Sequence, residues 1–139
     1  SSDQFIKIHV YEELRLSQKN SLHPEYWNSS RIENALRRLQ LLNLTDHVCY
    51  QLSGVQQKKL QVLAMLVMGQ PVLLLDEPFA GLDPQSLHET LTLLKDTITA
   101  LGLSGLVISH QRIGVTELMD YEIHFANQAL QFVGDNNEF

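Results

Sequence analysis

The sequence predicts an α/β fold on a mostly parallel sheet, and three observations lead there. Two short runs, "VLLL" at 72–75 and "GLVIS" at 105–109, are too short for helices and apolar on both faces, as buried parallel strands are. A long helical pattern with its own start and stop signals lies between them. Strand, helix and strand in that order are the unit from which parallel sheets are built.

The elements follow in chain order. "VYEELRLS" reads as a short amphipathic helix, and "NSLHPEYWNS" as a polar connection broken by proline. Ser30 with Glu33 three residues on has the spacing of a capping box. It precedes "IENALRRLQLL", where Ile32, Ala35, Leu36 and Leu39 fall on one face. Residues 44–50 form a short connection. Ser53 with Gln56 repeats the capping pattern, so a helix starts at Gly54 or Val55 and stops near Gly69, ahead of Pro71. Asp83 and Pro84 open the next helix, with proline at its first position. Leu87, Leu91, Leu94, Ile98 and Leu101 trace its apolar stripe, and Gly102 closes it. A short helix is expected over 115–119, then the strands "YEIHF" and "ALQFV" joined by an Asn127-Gln128 turn.

Composition narrows the function. At 139 residues the chain fits one ordinary domain. Ten basic against sixteen acidic residues give a net charge of −6, the wrong sign for binding phosphate backbones, so nucleic acid is not an expected partner. Cys49 is the lone cysteine, which rules out a disulfide framework and reads as inert packing in a reducing interior. The longest apolar run, 62–68, has seven residues, against about twenty for a membrane span.

The chemistry gathers at the expected strand ends. Asp76 and Glu77 stand where open α/β sheets hold their ligands, at a strand's carboxyl end. One carboxylate there suits Mg²⁺, usually through water, and the next can orient or deprotonate an attacking water. Taken alone, the pair also reads as the start of a solvated loop. Ser53 and Gly54 open a helix whose free N–H groups and partial positive charge suit an anion, with a hydroxyl and no side chain in the way of phosphate. Taken alone, Ser53 also reads as a plain cap. His110 follows the second strand and is a candidate to hydrogen-bond a phosphate oxygen. His9, His23, His47, His88 and His124 show no metal-ligand spacing. The Arg37-Arg38 and Lys58-Lys59 pairs read as packing and solvated faces.

The order "LSGVQ", helix, "VLLLDEP", "AGLDP", "ISH" resembles the second half of an ABC transporter ATPase, over essentially the whole chain. Leu52, Ser53, Gly54, Val55 and Gln56 resemble the signature motif LSGGQ. Residues 72–76 resemble the Walker B strand, with Glu77 at the catalytic glutamate position. Residues 80–83 match the D-loop and His110 the switch histidine. "SSDQFIKIHVYEEL" resembles the stretch after the Q-loop in energy-coupling-factor and cobalt-type importer ATPases.

The resemblance implies a partial P-loop NTPase core of RecA-like type, its mostly parallel sheet lacking the P-loop half, together with the ABC α-helical subdomain. It implies a post-Q-loop segment over 1–9, the helical signature subdomain over 10–70 and the carboxyl-terminal part of the core over 71–139. It implies ATP and Mg²⁺ as cofactors and two ATPase subunits, alike or different, packed head to tail. In that arrangement Ser53 and Gly54, with the rest of the signature, reach the γ-phosphate held by the partner. Asp76 serves Mg²⁺, Glu77 polarises the water, His110 contacts the γ-phosphate and Asp83 links the two sites. The helices before residue 50 dock on transmembrane subunits, which places the protein in the cytoplasm on the inner face of the cell membrane.

Two departures from the motifs are visible. Val55 replaces the second signature glycine, which should weaken phosphate engagement without abolishing it. Lys59 stands where the family often has arginine, and loses its bidentate fork. No G-x-x-x-x-G-K-[ST] occurs in the chain. It therefore resembles a carboxyl-terminal piece of a longer ATPase, expected to bind ATP poorly, to hydrolyse none by itself and to self-associate through exposed apolar sheet. A non-transport ABC ATPase of DNA repair or translation is a competing reading, against which the lack of long insertions and basic surfaces counts. A regulatory module with the fold but no catalysis is a third, opposed by the Asp76, Glu77 and His110 set.

Overall fold

Apolar residues spaced for helices up to residue 69, and for strand, helix and then strands beyond it, dictate the observed order. The structure is a computed structural model that describes residues 9–47, 51–109, 121–126 and 129–135, the last two segments as backbone. The chain divides after Ser109 into two compact units. Cys49, His110 and the helix expected over 115–119 lie outside the described residues.

Helix α1 (Val10–Lys19) carries Glu12 and Glu13 in its first turn and Lys19 in its last, charges that complement the helix dipole. Helix α2 (Ser29–Arg38) starts one residue before Ser30. Its cap is Asn28, whose side chain accepts from the Arg31 amide, so Ser30 with Glu33 does not act as the expected capping box. A short 3₁₀ turn spans Leu42–Leu44.

Helix α3 (Gly54–Met68) begins and ends as its sequence predicts, with a Ser53–Gln56 capping box and a left-handed Gly69. The last carbonyls of a helix have no partners within it. Here the segment after α1 supplies three. The Ser21 hydroxyl donates to Val67, the Leu22 amide donates to Met68 at 3.0 Å, and His23 Nε2 donates to Gly69 at 3.2 Å. The α1 face bearing Val10 and Leu14 and the α3 face bearing Leu60, Leu63 and Val67 are buried, as is Trp27 in the connection.

Strand β1 (Val72–Asp76) pairs in parallel with β2 (Ser104–Ile108), Val72 opposite Ser104 and Asp76 opposite Ile108. Helix α4 (Pro84–Leu101) connects them, capped by Asp83, with Pro84 at its start and left-handed Gly102 at its end. The parallel pair fits the predicted fold class, but burial on both faces does not hold. Leu73 and Leu75 are buried, whereas Val72 and Leu74 are 67% and 59% exposed and Leu106 and Ile108 57% and 49%. One apolar face of the pair stays open to solvent.

The α4 stripe is also corrected. Its buried face is Ser86, Thr90, Leu93, Leu94 and Thr97, while Leu87, Leu91, Ile98 and Leu101 are half-buried. Polar atoms can be buried where they find partners: the Thr97 hydroxyl donates to the Leu93 carbonyl and Ser86 accepts from Lys59.

In the second unit β3 (Tyr121–Ala126) and β4 (Ala129–Asp135) form an antiparallel hairpin, irregular between Glu122 and Ile123. The two strands were expected; residues 127–128 lie outside the described residues.

Candidate functional site

Two local structures carry the candidate residues, the start of α3 and the loop after β1. At the first, Leu52 is buried and anchors the turn, while Ser53 and Gly54 are exposed. Ser53 is in extended geometry, and its hydroxyl oxygen accepts from the Gln56 amide at 3.1 Å. The Gln56 side chain returns the bond, accepting from the Ser53 amide at 2.9 Å. Gln56 is thus occupied in shaping the turn. A methyl added at Gly54 would meet no atom within 4 Å, and Gly54 does not have the positive φ that demands glycine. The fold of this chain gives no reason for a glycine there.

At the second, the β1–β2 ladder continues one rung beyond the strands: the Glu77 amide donates to the Ile108 carbonyl at 2.7 Å. The chain then turns sharply. Glu77 has φ +48°, a left-handed conformation that costs an L-residue about 1–2 kcal/mol. Its carbonyl accepts from Lys58 Nζ at 3.1 Å and from the Ala80 amide at 3.4 Å. Asp76 is exposed and Glu77 half-buried, while Phe79 is fully buried beneath the turn. Two surface hollows of 610 and 350 Å³ run beside α1, and neither is lined by Asp76 or Glu77.

The two structures touch. A Cβ on Gly81 (φ +78°) would lie 3.0 Å from Val55 Cγ2, so the valine packs against the loop after β1. Three residues on, Lys58 grips the Glu77 carbonyl. Lys59 is 7% exposed; its ammonium donates to the Leu39 carbonyl and to Ser86 Oγ, both at 3.3 Å. Ser86 in turn serves Asp83. Its hydroxyl first, and then its amide (3.3 Å from Oδ2), hold the Asp83 carboxyl below its ordinary value of 3.8.

The structure therefore brings Val55 to the Asp76–Asp83 loop and puts Leu52, Ser53, Gly54 and Gln56 on the same turn as Val55. His110 lies outside the described residues, so its relation to Asp76 and Glu77 is not part of this geometry. The reading of Lys58 and Lys59 as packing and a solvated face misses that both ammonium groups bond distant segments. The signal was available for Lys59: counting three, four and seven residues on reaches Val62, Leu63 and Leu66, all buried, so Lys59 sits on the core stripe. Nothing local marks Lys58, whose partner is nineteen residues away.

Among the described residues no group of three or more His, Cys, Asp or Glu converges on a point. That excludes an all-protein metal cage there and leaves single exposed carboxylates such as Asp76. This donor set fits Mg²⁺, which takes one or two carboxylates together with phosphate and water.

Comparison with known proteins follows the same lines. A family model described as ABC transporter matches residues 3–80. An energy-coupling factor transporter ATP-binding protein of Clostridium perfringens is 34% identical over 108 residues, 78% of this chain and 38% of that protein. A thiamine import ATP-binding protein of Aliivibrio fischeri is 34% identical over 106 residues, 76% of this chain and 45% of that protein. The solved structure of cbiO1 from Clostridium perfringens, part of the ABC transporter complex cbiONQ, aligns with a TM-score of 0.67 and 29% identity. It covers 99% of this chain and 55% of that one. The chain spans less than half the length of those two curated relatives.

Proposed function

This chain belongs to the ABC transporter family, and we propose that it is the signature- and acid-bearing part of an ATP-hydrolysing subunit that energises an importer. Of the two relatives, an energy-coupling factor transporter ATP-binding protein and a thiamine import ATP-binding protein, the second supports import. The observation that carries the reading is Gly54. It is exposed, with open space where its side chain would be and a backbone conformation that any residue can adopt. A glycine that its own fold does not need suits the approach of something from outside, and at a helix start that something is an anion.

In this reading Ser53 and Gly54 present α3's free amides and a hydroxyl to the γ-phosphate of ATP held by a second subunit, alike or different, packed head to tail. Asp76 would hold Mg²⁺, which when bound supplies positive charge to the phosphate oxygens. Glu77 orients and polarises the attacking water, His110 hydrogen-bonds the γ-phosphate, and Asp83 lies at the contact between the two sites. The α1–α2 region docks on transmembrane subunits, which holds the protein at the cytoplasmic face of the membrane.

The test uses the protein expressed from its whole reading frame. Gly54→Ala is expected to leave the urea midpoint unchanged and lower ATP turnover by at least about tenfold. Glu77→Gln is expected to abolish turnover while ATP binding persists. Turnover unaffected by both substitutions would overturn the assignment.

A further inference from the structure

Glu77 occupies a backbone conformation that non-glycine residues adopt only when their surroundings hold them there. Three bonds do so. The Ile108 carbonyl takes its amide, and the Ala80 amide and Lys58 Nζ both reach its carbonyl. Of these, the bond from Lys58 is the one supplied by a side chain of another element. The next residue is Pro78, so the peptide linking Glu77 to it has no N–H, and its carbonyl is its one strong hydrogen-bonding group. Whatever grips that oxygen sets the rotation of the whole peptide plane, and with it the direction in which the Glu77 side chain leaves the strand end.

We propose that Lys58 is a positioning residue for Glu77. Its ammonium, carried on the second turn of α3, holds the Glu77–Pro78 peptide plane and so aims the carboxylate at the reacting water. The donor is charged and the acceptor neutral, so the bond is a strong one and little affected by mobile salt at 3.1 Å. Lys58 thereby also ties the acid's orientation to the helix capped by Ser53. The inference rests on the reading of Glu77 as the residue that polarises water in ATP hydrolysis.

The test compares Lys58→Met, Lys58→Arg and Glu77→Gln in the protein expressed from its whole reading frame. Lys58→Met keeps the length of the stem and removes the donor. Its kcat is expected to fall about tenfold, the scale of one charge-assisted hydrogen bond, with KM for ATP within about twofold. The loss of stability in urea is expected to be smaller than the loss of kcat, since water can replace the donor at this part-buried carbonyl. Lys58→Arg, which still offers N–H groups, is expected to recover most of the loss. A kcat unchanged by Lys58→Met would overturn the proposal, and so would Lys58→Arg behaving like Lys58→Met. A loss of kcat matched by an equal loss of stability would assign Lys58 to the fold alone and also overturn it. If Glu77→Gln abolishes turnover while Lys58→Met does not lower it, only the positioning role falls. If turnover survives Glu77→Gln, the catalytic reading of Glu77 falls and takes this inference with it.

Discussion

Replacing Gly69 with alanine should destabilise the chain more than the same change at Gly102, though both glycines do the same backbone job. Each ends a helix in the left-handed conformation, φ +71° and +66°, with its amide bonded to the carbonyl four residues back. Their surroundings differ. At Gly102 a new methyl meets nothing within 4 Å, so only the conformational term applies, about 1–2 kcal/mol. At Gly69 the methyl would lie 2.3 Å from His23 Cδ2 and 3.2 Å from Nε2. The ring must swing away and give up its bond to the Gly69 carbonyl, a further loss of about 0.5–1.5 kcal/mol. The expected totals are about 1.5–3.5 kcal/mol at Gly69 against about 1–2 at Gly102. Urea unfolding reads the difference directly, since a slope of about 1–3 kcal/mol per molar turns 1 kcal/mol into a midpoint shift of about 0.3–1 M. In a His23→Ala background Gly69→Ala should cost no more than Gly102→Ala, a coupling of about 1 kcal/mol in a double-mutant cycle. Equal costs at the two glycines in the native background, or no coupling to His23, would refute the argument that this ring closes the end of α3.

Three further outcomes are expected. Lys59→Met should lower stability by about 1–3 kcal/mol in urea unfolding, because it leaves the Leu39 carbonyl and Ser86 hydroxyl without their buried donor. The Asp83 carboxyl is held below 3.8 by Ser86, so its capping contribution is complete above that value and is lost as pH falls through the lower folded value. Wild type should therefore exceed Asp83→Ala in stability by a constant margin at neutral pH, and the margin should shrink only below about pH 4; a margin that shrinks between pH 7 and 5 contradicts this. The 139-residue chain by itself, which contains no G-x-x-x-x-G-K-[ST], should show no measurable ATP turnover, and phosphate release above background from the purified chain would contradict that.

Features of the site that depend on nearby residues were legible before the structure. The capping box at Ser53 and Gln56, the proline start at Asp83-Pro84 and the closing glycines at 69 and 102 all follow from partners within four residues. The α2 start was misplaced for the same local reason: Asn28 and Ser30 can both cap, and the Asn28 side chain took the Arg31 amide. Long-range partners were not legible. Lys58 bonds a carbonyl nineteen residues on, and the Val55 side chain lies against Gly81. The left-handed turn at Glu77, a residue type that seldom adopts it, had no sequence marker at all.

By itself the sequence determined where helices start and stop, which runs become strands, and which residue types stand at the signature turn and the strand end. Those follow from backbone hydrogen bonding and side-chain sterics within a few residues. Tertiary structure alone decided that one face of the β1–β2 pair stays open, that Lys59 is buried between α2 and α4, and that α3 holds the acid-bearing loop through Val55 and Lys58. Burial and cross-chain bonds depend on which distant segments meet, and apolar periodicity marks a surface as needing cover without specifying the residue that covers it.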